Sequence, residues 1–133
     1  MTLQQEDRNA LVTVRLQRAK ETMEELNIII RLGLWRTAAN RLHFACFYAV
    51  RALLAKNGLK ADTHAGIISR FGFHFVHKGL INKEQGKLFK LLFELQQSTD
   101  YDDWFEIDEQ DIQPFLEPAE KFITEIELLT LNS

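Results

Sequence analysis

Cysteine and proline are scarce in this chain of 133 residues, and it carries no net basic charge; each of these features excludes a class of protein. The single cysteine, Cys46, cannot form an internal disulfide, and its apolar surroundings predict a small core residue. With only two prolines and six glycines, the sequence contains no linkers, repeats or low-complexity segments. The net charge of −3 gives no overall basic field for nucleic acid, so any RNA or nucleotide contact requires a local patch.

Long hydrophobic runs and a secretion signal are also missing. No stretch approaches the roughly 18 uninterrupted apolar residues of a membrane span, and the start, MTLQQEDRNA, lacks a basic segment followed by an apolar run. We therefore expect no membrane partner and a cytoplasmic location. Hydrophobic residues make up 46% and charged residues 26% of the chain, which is typical of a folded domain. The length predicts one domain over residues 1–133.

The most informative stretch runs from Trp35 to Asn57 and contains neither proline nor glycine. It is long enough for about six helical turns, and its apolar residues extend over more than one face. We therefore expect this helix in the middle of the protein. A buried polar group without a partner costs about 1–3 kcal/mol, so the remaining polar side chains of this helix need an explanation. They are Asn40, Arg41, His43 and Arg51.

Four further helical patterns surround this stretch, and no alternating strand pattern is present. The sequence therefore predicts an all-α protein. The first helix is amphipathic, with Leu11, Ala19 and Leu26 on its apolar face. The predicted ranges of the four helices are 7–32, 64–78, 82–98 and 108–131.

Glycines in the third predicted helix and prolines in the last one affect where these helices are expected to begin and end. Gly66 and Gly72 weaken the third helix, which indicates either a close helix contact or a broken helix. Pro114 and Pro118 each remove a backbone donor, so the regular part of the last helix is expected to begin only at one of them. The acidic segment 100–103 is expected to be a loop.

Three segments resemble the small stand-alone HEPN-domain proteins: AANRLHFACFYAVRALL (38–54), THAGIISRFGFHFVHKGLI (63–81) and GKLFKLLFELQQSTDYDD (86–103). The motifs of that family are A-x-R-x-x-[YF]-A-x-F-[YH]-A-x-[RK]-A-L-L, T-H-x-G and R-x-x-x-D-Y, in the same order and with the same spacing. The resemblance implies an up-and-down bundle of four to five helices, usually a homodimer. It also implies a gene often placed beside a small nucleotidyltransferase, as in toxin–antitoxin or defence pairs.

Many proteins of this family are metal-independent endoribonucleases with an R-x(4–6)-H motif near the end of the fourth helix. In such a pair, the histidine acts as a general acid or base and the arginine stabilises the charged transition state. This chain departs from the motif, because Gln96 stands at the arginine position and Tyr101 stands five residues later. A neutral amide cannot replace a guanidinium, and a phenol is a poor base at neutral pH. We therefore expect no catalytic residue of the family type, no metal and no cofactor.

A local patch for phosphate or a base is predicted on the central helix. Arg41, Tyr48 and Arg51 follow one another at steps of seven and three, so they share a helical face. The alternative interpretation is that Arg41 bonds a carboxylate such as Asp100 inside the bundle. His64 is either a ligand-binding residue or a structural residue in the first turn of its helix. The full set of candidate binding residues is Arg41, Tyr48, Arg51, His64, Gln96, Asp100 and Tyr101.

Two segments suggest protein partners. The acidic run around Tyr101 and Trp104 is either a solvated loop or a docking surface for a basic partner, since both aromatic types are favoured interface anchors. The segment FGFHF (71–75) places three phenylalanines where they cannot all face one way on a helix. Another subunit is expected to bury some of them, which favours a homodimer.

Three functions remain open from the sequence. The first is a non-catalytic HEPN module that dimerises and binds a nucleotidyltransferase partner, with any nucleotide or RNA contact near Arg41, Tyr48, His64 and the segment 96–101. The second is a metal-independent endoribonuclease toxin. The third is a purely structural dimeric bundle without a ligand.

Overall fold

A computed structural model describes residues 3–133 of the protein, with side chains from residue 4 onward. Over this range the chain is all-α, as predicted, and no strand is present in it. A π-helical segment, Gly72–Val76, follows the third helix. The five α-helices are α1 (Leu3–Arg31), α2 (Trp35–Lys56), α3 (His64–Phe71), α4 (Lys83–Tyr101) and α5 (Glu109–Leu131). None of these helices is long and apolar enough to cross a membrane.

The helix α2 lies at the centre of the bundle, as its sequence predicts. It packs against α1, α3, α4 and α5, and twelve of its 22 residues are buried. Small residues such as Ala38, Ala45 and Ala49 are fully buried and let neighbouring helices approach closely. Cys46 is buried among them, and this burial raises the pKa of its thiol, as is typical of a structural cysteine.

The apolar face of α1 differs from the predicted one at its first half. Ala19 and Leu26 are buried in the main core, as expected, but Leu11 is exposed. Val12 and Leu16 are buried instead, in a small separate cluster with Ala52 of α2. The rotation of α1 about its own axis against α2 determines which of these residues is buried, and the helical period alone does not predict that rotation.

The helix α4 is one turn longer than predicted. The Asn82 side chain caps its first turn by accepting a hydrogen bond from the Gln85 backbone N–H at 2.9 Å. At the other end the helix continues through Asp100 and Tyr101, so the expectation that these two residues lie in a loop is wrong. Asn40 of α2 provides the reason, because its side chain bonds Asp100 and fixes the last turn.

The third helix is not broken at Gly72, because the backbone keeps helical angles from α3 into the π-helical segment, and a β-carbon at Gly72 would meet no atom within 4 Å. α3 ends at Phe71, and the backbone N–H of His77 then donates to the Gly72 carbonyl at 2.8 Å, the spacing of a π-turn. Close helix contact occurs at a different glycine, Gly86 of α4. A β-carbon built there would lie 3.1 Å from both γ-carbons of Val76.

The last helix begins before both prolines, so the prediction that its regular part starts at Pro114 or Pro118 is wrong. A reciprocal capping box starts it: the Asp108 side chain accepts from the Gln110 N–H, and the Asp111 side chain accepts from the Asp108 N–H, both at 2.9 Å. This cap and the buried apolar face of α5 outweigh the backbone donors that the two prolines lack.

Candidate functional site

A chain of hydrogen bonds joins α2 to the last turn of α4. We call the four side chains Asn40, Arg41, Gln96 and Asp100 the α4 corner. The Asp100 carboxylate accepts from the Asn40 amide at 3.1 Å and from the Gln96 amide at 2.6 Å. The Asn40 carbonyl oxygen accepts from Nε and Nη2 of Arg41 at 3.1 and 2.7 Å. The structure thus brings three predicted site residues, Arg41, Gln96 and Asp100, into one network.

The contact between Arg41 and Asp100 is indirect. The alternative interpretation expected a direct bond between them, but Asn40 lies between the two groups. The nearest carboxylate to Arg41 is Glu25 of α1, at 4.0 Å from Nη1, and the guanidinium also lies 5.5 Å from the Phe44 ring centre. An exposed pair at 4.0 Å contributes little to stability, so the Asn40 amide is the main partner of Arg41.

Gln96, which the family resemblance places at the arginine position of the motif, has a buried side chain with 4% exposure. The Gln96 amide nitrogen is directed to Asp100, and its carbonyl oxygen accepts from the Gln97 amide at 3.1 Å. Both ends of the side chain are therefore occupied. This position supplies a neutral structural link and no cation for a phosphate group.

Next to the α4 corner, two aromatic side chains are largely exposed. Tyr101, at the end of α4, is 76% exposed, and Trp104, in the following turn, is 92% exposed. Arg36 of α2 holds this turn by donating hydrogen bonds to the carbonyls of Thr99 and Phe105. The sequence does not predict this role of Arg36, because nothing in it pairs this side chain with carbonyls more than 60 residues away.

His64 lies beside His43 in a cluster of aromatic rings. The two imidazole centres are 5.6 Å apart, and the His64 ring lies 4.6 Å from that of Phe47. His43 is fully buried, and neither of its nitrogens has a hydrogen-bond partner among residues 4–133. Burial, with a smaller contribution from His64, lowers its pKa to about 4, whereas Asp100 acts in the opposite direction. His43 is therefore a neutral core residue at neutral pH.

Tyr48 and Arg51 lie apart from the α4 corner, although they share a helical face with Arg41. Tyr48 is half-buried and contacts Arg18 of α1, whose guanidinium carbon lies 5.8 Å from the ring centre. The Arg51 guanidinium lies 5.7 Å from the Phe47 ring centre and lines a cavity between α1 and α2. The predicted patch is thus divided among three different surroundings.

The arrangement of the helices defines a class of protein. The crystal structure of the protein TT1696 from Thermus thermophilus matches with a TM-score of 0.73 and covers 89% of this chain and 97% of that chain. At 17% sequence identity this likeness shows the fold alone. This chain is therefore a five-helix bundle of the same fold as TT1696, and it has a polar corner at the end of its own fourth helix.

The family model described as HEPN domain matches residues 12–129, and the chain belongs to the HEPN family. A relative named "UPF0332 protein" from Thermotoga maritima is 34% identical and covers 85% of this chain and 86% of its own length. A relative named "Putative toxin MJ0605" from Methanocaldococcus jannaschii is 31% identical and covers 83% of this chain and 76% of its own length. The resemblance noted in the sequence is thereby confirmed.

Proposed function

We propose that the protein is a toxin-like HEPN module that lacks the ribonuclease pair of the family and acts by binding a partner protein. The observation that carries this proposal is Gln96, buried at the end of α4 with its amide donated to Asp100. A pentavalent phosphate transition state requires cationic stabilisation, which an amide in this bonding state does not provide. The second position of the motif, Tyr101, carries an exposed phenol.

The exposed pair Tyr101 and Trp104 is the proposed docking surface. Large aromatic side chains anchor protein interfaces because they bury much area with few rotatable bonds. The exposed carboxylates of Asp102 and Asp103 lie in the same turn, so the proposed partner presents basic residues around an apolar pocket. By the family resemblance, that partner is a nucleotidyltransferase encoded beside this protein. Any nucleotide or RNA contact would fall at the neighbouring α4 corner.

A homodimer is part of the same proposal, although its support in the segment 71–75 is narrower than the sequence indicated. Phe71 and Phe75 are buried in the core of their own chain, and only Phe73 is exposed, at 60%. Leu80 is exposed in the turn that follows. We expect Phe73→Asp to shift a dimer towards monomer in light scattering. The exposed Leu128 provides the matched control as Leu128→Asp.

The experiment that tests partner binding is co-expression with the neighbouring nucleotidyltransferase, followed by affinity capture. We expect a complex with the unaltered chain, and loss of at least tenfold in affinity for Trp104→Ala, because that ring is free to enter a partner pocket. The variant Leu128→Ala, an exposed apolar residue on α5, should bind normally. Absence of a complex with the unaltered chain would remove the proposal.

The rival function is an endoribonuclease toxin; the relative from Methanocaldococcus jannaschii is named a toxin, and the ribonuclease activity is what the family resemblance implies. Its chemistry would fall to Arg41 and to the half-buried His64, whose guanidinium carbon and ring centre lie 5.5 and 5.8 Å from the Phe44 ring centre. Cleavage of RNA by the purified protein, lost in both Arg41→Ala and His64→Ala but kept in Arg70→Ala, would establish this function. If neither RNA cleavage nor partner capture occurs, and no nucleotide raises the melting temperature, the structural bundle is what remains.

A further inference from the structure

A second polar site lies well away from the α4 corner. A cavity of about 330 Å³ opens between the first half of α1, the end of α2 and the loop that leads to α3. Four cationic side chains line it: Arg8, Arg15, Arg51 and Lys60. Arg51 follows Asn40 by eleven residues, which places the two about 16 Å apart along α2. We call this site the arginine pocket.

Within the part of the chain whose side chains are described, the cations of the arginine pocket have no counter-ion within 4.0 Å. Among residues 4–133, ion pairs within 4.0 Å involve Lys20, Arg41 and Lys87, and none involves the four cations of this pocket. Two carboxylates, Asp7 and Asp62, also line the cavity, and both are exposed. Four cations against two carboxylates leave the pocket with an excess of positive charge in a chain that is negative overall.

Two of these arginines are held close together. Nη1 of Arg15 donates to the backbone carbonyl of Arg51 at 3.2 Å, and the Arg51 guanidinium lies over the Phe47 ring. Both side chains are half-buried. Burial and the neighbouring charge of Arg51 lower the pKa of Arg15. Two half-buried like charges repel one another in the empty protein, and a bound anion would remove this cost.

The interior of the pocket is apolar. Leu54, Leu59 and Ile67 line it from the end of α2, the loop and α3, and Ile67 is itself buried. A cavity of this size is at the lower end of the range for small-molecule sites, which combine apolar walls with a few placed polar groups. The pocket therefore suits a small ligand with one strongly anionic end and a compact apolar body.

We propose that the arginine pocket binds the terminal phosphate group of a small phosphorylated molecule whose apolar body rests on Leu54, Leu59 and Ile67. Arginine forks match phosphate oxygens bidentately, which favours a phosphate dianion over a single carboxylate. The site contains none of Gln96, Asp100 and Tyr101. It is therefore independent of the proposed partner-binding surface, and either proposal can fail without the other.

Titration calorimetry with phenyl phosphate tests this inference, since this probe joins a phosphate dianion to a compact apolar ring. We expect phenyl phosphate to bind at least tenfold more tightly than inorganic phosphate, which lacks the apolar body. We also expect it to bind at least tenfold more tightly than benzenesulfonate, which carries one negative charge. Phenol, without an anionic group, should give no measurable heat.

Variants of the pocket identify the residues that bind. Arg51→Gln and Arg15→Gln should each weaken phenyl phosphate binding at least tenfold. Arg51→Lys should bind phenyl phosphate more tightly than Arg51→Gln but more weakly than the unaltered protein, because lysine keeps the charge and lacks the planar fork. The control Arg70→Gln removes an exposed arginine of α3 that does not line the pocket. It should bind as the unaltered protein does. Circular dichroism establishes that each variant is folded.

A measurement without ligand separates binding from a structural role. If Arg15 and Arg51 serve a ligand, Arg15→Gln should leave the melting temperature of the empty protein unchanged or raise it, because the repulsion is removed. A lowered melting temperature with unchanged phenyl phosphate binding would assign Arg15 to structure and overturn the proposal. Binding of a 5′-phosphorylated oligoribonucleotide without any binding of phenyl phosphate would overturn it as well.

Discussion

His43 makes the stability of this protein depend on pH in a way that can be calculated. Its pKa is about 4 in the folded protein, against 6.5 for the ordinary group, because burial disfavours the charged form. The unfolded chain therefore binds a proton at a pH where the folded chain does not. Stability from this source is fully present above pH 6.5 and is lost as the pH falls towards 4.

The size of the effect follows from the two pKa values. Each unit of difference corresponds to about 1.4 kcal/mol, so the full loss below pH 4 is about 3 kcal/mol. At pH 5 the loss relative to pH 8 is about 2 kcal/mol, because the folded imidazole is still mostly neutral there. A loss of this size is a large share of the total stability of a small domain.

The assay is urea denaturation of the unaltered protein and of His43→Leu at pH 8 and pH 5. Leucine has a similar volume and no nitrogen to leave without a partner, so the variant should be at least as stable at pH 8. At pH 5 its advantage should grow by about 2 kcal/mol. The control His77→Gln, at an exposed position, should follow the unaltered protein. If the difference in the free energy of unfolding between the unaltered protein and His43→Leu is the same at pH 8 and pH 5, the reasoning is refuted.

Three further predictions concern the helices. Asp108→Ala should cost about 1 kcal/mol in urea denaturation, because it removes the cap of α5, whereas the exposed loop variant Asp103→Ala should stay within about 0.5 kcal/mol. Gly86→Ala should raise the free energy of unfolding by about 1 kcal/mol through helix propensity, but only in a chain that also carries Val76→Ala, which removes the two γ-carbons in the way. If the effects of the two substitutions on the free energy of unfolding are additive, the close contact between Gly86 and Val76 is contradicted. Arg36→Ala should speed amide hydrogen exchange in residues 102–106, since two carbonyl contacts are lost, and unchanged exchange would exclude this role.

The helices themselves were predictable because local signals set most of their positions. The range of α2 follows from a stretch without glycine or proline between Gly33 and Gly58, both of which adopt positive φ angles of 70°. The extra turn of α4 was not predictable, because Asn40, sixty residues earlier in the chain, bonds Asp100. Two local signals predict different starts for α5: the capping box favours Asp108, and the prolines favour a later residue. The structure shows that the helix begins after the cap at Asp108.

The candidate sites were predictable only where one helix supplies the residues. Gln96 and Tyr101 lie on α4, so their spacing in the sequence is also their spacing in space. The arginine pocket combines Arg8 and Arg15 of α1 with Arg51 of α2, and their meeting depends on how α1 is rotated against α2. That rotation buries Val12 and leaves Leu11 exposed. No periodicity within either helix contains this information.

Asn40 explains how the charged groups of the α4 corner are held together. An amide offers both a donor and an acceptor, so Asn40 donates to the Asp100 carboxylate and accepts from the Arg41 guanidinium at the same time. Gln96 gives Asp100 a second neutral donor. The carboxylate is thus satisfied by two neutral amide donors without a direct cation, and these bonds hold the last turn of α4 against α2.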